Sequence, residues 1–189
     1  MASDVRQRMI EGAMTLLAQR GLQSTSFSEV VATTGAPRGS LYHHFPDGKD
    51  QLVAAAIDLA GDVLIDFMNR CPGSSAEAVV QHFLLIWRTV LTRSGCESGC
   101  AVLAVTVATD SSDLLAHATA VFRTWRTCLA DLLKRAGLPD DDARRFAMVL
   151  IASVEGAVVL SRAERSLEPF EAVAQQLVEQ ARRLQEHIK

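Results

Sequence analysis

Residues 26–45 read Ser-Phe-Ser-Glu-Val-Val-Ala-Thr-Thr-Gly-Ala-Pro-Arg-Gly-Ser-Leu-Tyr-His-His-Phe, and this stretch constrains the fold more than any other. Ser26 with Glu29 three positions on is a capping box, in which two otherwise orphaned N–H groups are satisfied reciprocally, so a helix opens there. Gly35 ends it, as glycine does where the chain must turn left-handed. Pro37 suits the first turn of a second helix, where its missing N–H costs nothing. That second helix is too short to be explained by its own share of a core. Leu41 and Phe45, four apart, face inward and leave Arg38, Gly39, Ser40, Tyr42 and His43 on the other faces. Two small helices across a tight turn make a helix-turn-helix, whose second helix enters the major groove of DNA. The outward set is rich in hydrogen-bonding groups suited to phosphates and base edges. A surface turn in a helical bundle is the alternative reading of the same pattern.

The remaining chain predicts an all-α fold. Alanine, leucine, valine, glutamate and arginine dominate, and Gly and Pro sit mostly at breaks. Asp4 to Arg20 carries Val5, Met9, Ile10, Ala13, Leu16 and Leu17 on one helical face. Lys49 starts a helix to about Asn69, read as a connector because the clearest boundary, Cys71-Pro-Gly-Ser-Ser, follows it. Helices are expected from Ser74 or Ser75 to Arg93, over Asp113–Ala136, and from Pro169 onward. The Val-rich run Cys100–Ala108 could be a strand, but nothing else offers a strand to pair with. Unpaired backbone groups are costly, so a short buried helix is predicted. From Asp140 to about Glu164 the chain is apolar nearly all round and must be buried on several sides, in part by another subunit.

Composition excludes more than it assigns. Net charge is −3, and residues 1–51 hold five Lys/Arg against five Asp/Glu, so the chain does not coat nucleic acid along its whole surface. A local reader needs only a few cations near phosphates. The uninterrupted apolar runs fall far short of a bilayer span, and no leader pattern opens the sequence. Four cysteines without paired zinc spacing lead us to expect a reduced, cytoplasmic protein with no metal and no cofactor. Cys96 and Cys100 flank Gly99 and invite a redox or metal reading, yet zinc would need two more ligands. Packed thiols are the alternative. No Ser-His-Asp order, phosphate-cradling glycine loop or paired catalytic carboxylates occur, so no enzyme is expected. Glu155 lies within an apolar run, where an unpaired charge is expensive. It either pairs with an arginine such as Arg126 or Arg162, or faces a ligand cavity.

Phe27, Val30-Val31-Ala32, Gly35, Gly39, Leu41-Tyr42, His44-Phe45, Lys49 and Leu52 resemble, in type and spacing, the N-terminal domain of the TetR/AcrR repressors. Pro-Asp-Gly between Phe45 and Lys49 is one residue longer than in most members. With Gly95-Cys96 and Gly99-Cys100, it resembles the lincomycin- and flavonoid-responsive repressors of the LmrA/YxaF type. The resemblance implies a homodimer of chains with about nine helices. Residues 1–48 would form the DNA-binding domain and 49–189 the ligand-binding and dimerisation domain. Ser24 and Thr25 would approach phosphates, Ser26 would cap the second helix, and Arg38 and Gly39 would approach base edges. Tyr42 and His43 would meet phosphate or thymine methyls, and Lys49 would anchor a phosphate. His44 is either a phosphate contact or a packed structural histidine. Phe83, Trp87, Phe122, Trp125 and Met148 read as core at helical spacing, but the resemblance implies that with Phe67 they would wall an effector pocket, with Glu155, Ser153 or Cys100 orienting the ligand. Val154, Val158, Phe170, Val173, Leu177 and Leu184 are expected at the dimer interface. The expected partners are double-stranded operator DNA, a hydrophobic or aromatic small molecule and a second copy of the chain, with no membrane. A helical adaptor whose small N-terminal domain docks a protein is the alternative.

Overall fold

The computed structural model describes residues 2–186, with the side chains of Ala2, Ser3 and Arg38 outside the description. Among the described residues there are nine helices and no strand: α1 (Ala2–Arg20), α2 (Phe27–Thr34), α3 (Arg38–His44), α4 (Lys49–Asn69), α5 (Ala76–Ser94), α6 (Ala101–Thr106), α7 (Ser112–Arg135), α8 (Asp140–Glu164) and α9 (Glu168–Glu186). The Val-rich run is the short helix α6. Cys100 caps it, its sulfur accepting a hydrogen bond from the Leu103 N–H at 3.3 Å. Pro37 stands as the N-cap of α3 rather than inside its first turn, and Ser75 caps α5 by accepting from the Ala78 N–H.

Chain contacts divide the molecule into two compact units. One comprises Met1–Asp62 with Cys100–Phe122, the other Val63–Gly99 with Arg123–Lys189. In the first unit α1 packs on α2, α3 and α6. Met9, Ala13, Leu17, Val30, Leu41 and Phe45 bury the faces that the sequence periodicity marks as apolar. Gly12 lets α1 and α2 meet: a Cβ there would collide with the Thr34 methyl group.

In the second unit α5, α8 and α9 pack against one another. Phe83, Leu84, Phe146, Leu150, Val158 and Phe170 are all but inaccessible to solvent. Two ion pairs tie α9 to α5. Arg88 donates to both carboxylate oxygens of Glu171 at 2.6 and 2.8 Å, and Arg182 donates to Glu77 at 2.6 Å. Those guanidinium hydrogen bonds hold both carboxyls below the usual carboxylate range. Ser161 is fully buried on α8, and its hydroxyl accepts the Phe170 N–H of α9 at 3.1 Å. Helix starts leave N–H groups without intrahelical partners, so Ser161 does for α9 what a cap residue does. Ser161→Ala should strand that donor and cost about 1–3 kcal/mol, read as a lower denaturant midpoint.

Four of the six interface residues expected from the sequence are enclosed by their own chain. Val154, Val158, Phe170 and Leu177 are buried within the single chain, and Val173 and Leu184 are half-buried. A side chain already enclosed by its own protomer has no surface to offer a second copy. The exposed apolar stripe of α8 is a different one. It runs through Met148, Val149, Ala152, Gly156, Val159, Leu160 and Ala163, with Val159 and Leu160 about half exposed (50% and 52%). Helix α8 as a whole has the length and hydropathy of a bilayer span, although no single run within it does. Its other face is packed on α5 and α9, which is the pattern of a core helix.

Candidate nucleic-acid interface

Helix α2 is fixed at both ends by its own residues. The Ser26 hydroxyl accepts from the Glu29 N–H at 3.2 Å, which satisfies one orphan donor. Gly35 adopts φ 65° and returns its N–H to the Val31 carbonyl at 2.9 Å. The chain then turns through Ala36 and Pro37 into α3, whose Leu41 and Phe45 are buried. With these two anchored, Tyr42 is thrown outward and is 71% exposed. The edge of Phe27 meets its ring at 5.7 Å and 86°, which orients the phenol without burying it. Phe27 therefore braces an exposed side chain, a contact that periodicity along α2 did not reveal.

Gly39 carries the second message. A Cβ at Gly39 would meet nothing within 4 Å, and its backbone is not in the left-handed region, so packing within the protein does not require glycine there. Gly lowers helix stability by about 1 kcal/mol relative to Ala. A glycine kept in an exposed helix without an internal reason fits a backbone that something else must approach closely. Ser24 and His43 are exposed, Ser40 is half-buried, and the Arg38 side chain lies outside the described residues. His44 is half-buried and meets the His43 ring at 5.1 Å.

One expected contact turns inward, and a second is tethered through one of its donors. Thr25 is 1% exposed and donates its hydroxyl to the Gly21 carbonyl at 2.9 Å, so it braces the turn after α1 rather than facing phosphate. Lys49 donates from Nζ to the Leu22 carbonyl at 2.8 Å. It ties the start of α4 to the segment after α1, which the spacing of Lys49 from Phe45 could not show.

The residues expected to wall an effector pocket fall in both units. Cys100 and Phe122 belong to the first, and Phe67, Phe83, Trp87, Trp125, Met148 and Glu155 to the second. Phe67 lies flat on the His82 ring, centroids 4.2 Å apart, while His82 Nε2 meets the Phe67 carbonyl at 2.7 Å. Phe83, Trp87, Trp125 and Glu155 are buried, and Phe122 is half-buried. Trp87 Nε1 is buried with no acceptor among the described residues. Met148 is corrected: it is 52% exposed on the outer stripe of α8 and walls no interior. A groove of about 580 Å³ between α5 and α9 and one of about 430 Å³ along α4 and α7 are lined by other residues. Cys96 and Cys100 are buried thiols, and no metal-holding cluster occurs among the described residues.

A three-helix head whose short last helix presents Gly39, Tyr42 and His43 outward is the helix-turn-helix of a DNA-binding transcriptional regulator. The chain matches the family described as bacterial regulatory proteins, tetR family, over residues 9–56. Residues 76–176 match the family described as transcriptional regulator LmrA/YxaF-like, C-terminal domain. An HTH-type transcriptional regulator of Mycobacterium tuberculosis is 35% identical over 181 residues, covering 91% of each chain. The HTH-type transcriptional regulator LmrA of Bacillus subtilis is 25% identical over 88% of this chain and 91% of its own. A TetR transcriptional regulator from Chloroflexus aurantiacus shares the fold with a TM-score of 0.79 at 28% identity, covering 94% of each chain. The chain belongs to the TetR family of transcriptional regulators, with an LmrA/YxaF-like C-terminal domain. Its relatives regulate transcription and are not enzymes.

Proposed function

We propose that this regulator is a cytoplasmic repressor that binds a palindromic operator as a homodimer and is released by a hydrophobic or aromatic small molecule. The reading domain is residues 1–48, and residues 49–189 bind the effector and the second protomer. The observation that carries the DNA-reading half is Gly39 beside Tyr42 on α3, a glycine and an exposed phenol that the fold itself does not need. Ser24, Arg38, Ser40 and His43 complete the contacting set, with Ser26 as its cap. The exposed stripe of α8 supports the dimer. Monomers rarely leave contiguous apolar patches uncovered. Small residues at Ala152, Gly156 and Ala163 let a second α8 approach closely. Two heads on one symmetric dimer read half-sites about one helical turn apart.

The effector reading is supported by large aromatics in the helices after α4. Trp87 adds a chemical requirement, because a buried indole N–H is normally satisfied and no group among the described residues does so. A flat effector with an acceptor oxygen fits that donor. It must bind the DNA-incompetent state more tightly, since equal affinity for both states shifts nothing.

The test uses a duplex that the protein enriches from a random-sequence pool. The enriched site should be a palindrome, and planar aromatic compounds that quench Trp87 and Trp125 fluorescence should release it. Enrichment of no duplex would favour the adaptor alternative. Quenching that leaves DNA affinity unchanged would separate the pocket from the switch.

A further inference from the structure

The head has few charges to spare for DNA, and the structure shows where most of them go. Of the five cations in residues 1–51, Arg8 lies 3.7 Å from Asp4 and Arg20 lies 2.9 Å from Glu29. Lys49 is held by the Leu22 carbonyl. Arg6 is exposed and lies within ion-pair distance of no carboxylate among the described residues. Its guanidinium instead rests over the Phe45 ring, Cζ 5.4 Å from the centroid. Phe45 is fully buried and closes α3, its N–H bonded to the Leu41 carbonyl at 2.8 Å. A cation from α1 is thereby fixed at the C-terminal end of the recognition helix.

We propose that Arg6 is a phosphate-binding residue of the reading head, gripping the DNA backbone beside the groove that α3 enters. The proposal rests on the assignment of α3 as the reader. A guanidinium on an aromatic face uses its π surface and leaves its N–H edge free. That edge matches two phosphate oxygens at once, and the ring fixes the plane before DNA arrives. Backbone contacts of this kind set affinity and register without reading sequence. In a head with no net charge, one such contact per protomer is a large share of the electrostatic attraction.

The experiment measures binding of the wild-type protein and its variants to the enriched duplex over a series of KCl concentrations. Each phosphate contact contributes about 0.9 to the slope of log affinity against log salt. Arg6→Gln should flatten that slope by about 2, one contact in each of two heads, and weaken binding about tenfold at physiological salt. The order of sequence preference should stay the same. Arg6→Lys should keep the slope while losing part of the affinity, because an ammonium carries the charge without the fork. An unchanged slope in Arg6→Gln overturns the proposal, even if that variant melts earlier, since packing on Phe45 alone would affect stability and not the salt dependence. Tyr42→Ala serves as the independent control: full affinity in that variant overturns the assignment of α3, and the Arg6 contact with it, whereas weakened Tyr42→Ala beside an unmoved Arg6→Gln slope overturns the Arg6 contact alone.

Discussion

Val159→Asp combined with Leu160→Asp should turn the proposed dimer into a well-folded monomer that holds its operator hundreds of times more weakly. Both side chains are half exposed on the single chain, so aspartate there stays solvated and changes folding stability little. In a dimer joined through α8 the same residues place unpaired carboxylates in a closed apolar seam, at a cost of several kcal/mol. Losing the second head then removes the gain of linked binding, which typically amounts to about 10²–10⁴ in affinity. Light scattering and fluorescence anisotropy on one sample would read both effects. Val158→Asp, one residue away, supplies the contrast. Its side chain is enclosed by its own protomer, so the charge should unfold the chain rather than split a dimer. A dimer of unchanged stability in the Val159/Leu160 variant would move the interface off this face.

Local signals were the legible ones. The Ser26 cap, the Gly35 stop and the Leu41/Phe45 spacing act within a few residues, so the sequence states them directly, whereas the Glu29 carboxylate, expected to close the box on Ser26, pairs with Arg20 instead. The absence of any partner strand likewise made α6 a helix. What the chain cannot state is which neighbour a residue meets across the fold. Helix α8 is apolar nearly all round, so periodicity could not say which stripe its own protomer covers, and hydrophobicity alone favoured the buried one. The small residues Ala152 and Gly156, four apart, were the available signal for the exposed stripe. Thr25 looks like a DNA contact by position, but the Gly21 carbonyl claims its hydroxyl, and the Leu22 carbonyl tethers Lys49 through one of its three donors. The Arg6–Phe45 contact spans 39 positions and has no local signature at all.

Gly39→Leu should abolish sequence-specific binding while leaving the protein as stable as before, or more so. The site is open, with nothing within 4 Å of an added Cβ, and its backbone is not in the left-handed region. Replacing a helical glycine by leucine therefore gains up to about 1 kcal/mol of helix propensity and meets no clash within the chain. With DNA in place the balance reverses, because the new side chain would fill the space that the base edges must occupy. Displacing even one good base contact per head costs about 1–3 kcal/mol, and two heads lose it together. Tyr42→Ala removes only an exposed phenol that Phe27 braces from behind, so it should weaken the operator complex and again leave the melting curve in place. A core role predicts the opposite pairing, with stability lost and DNA binding falling only in proportion to unfolded chain. Melting temperature and operator affinity measured side by side separate the two. If Gly39→Leu binds its operator like the wild type, α3 is not the helix that reads DNA.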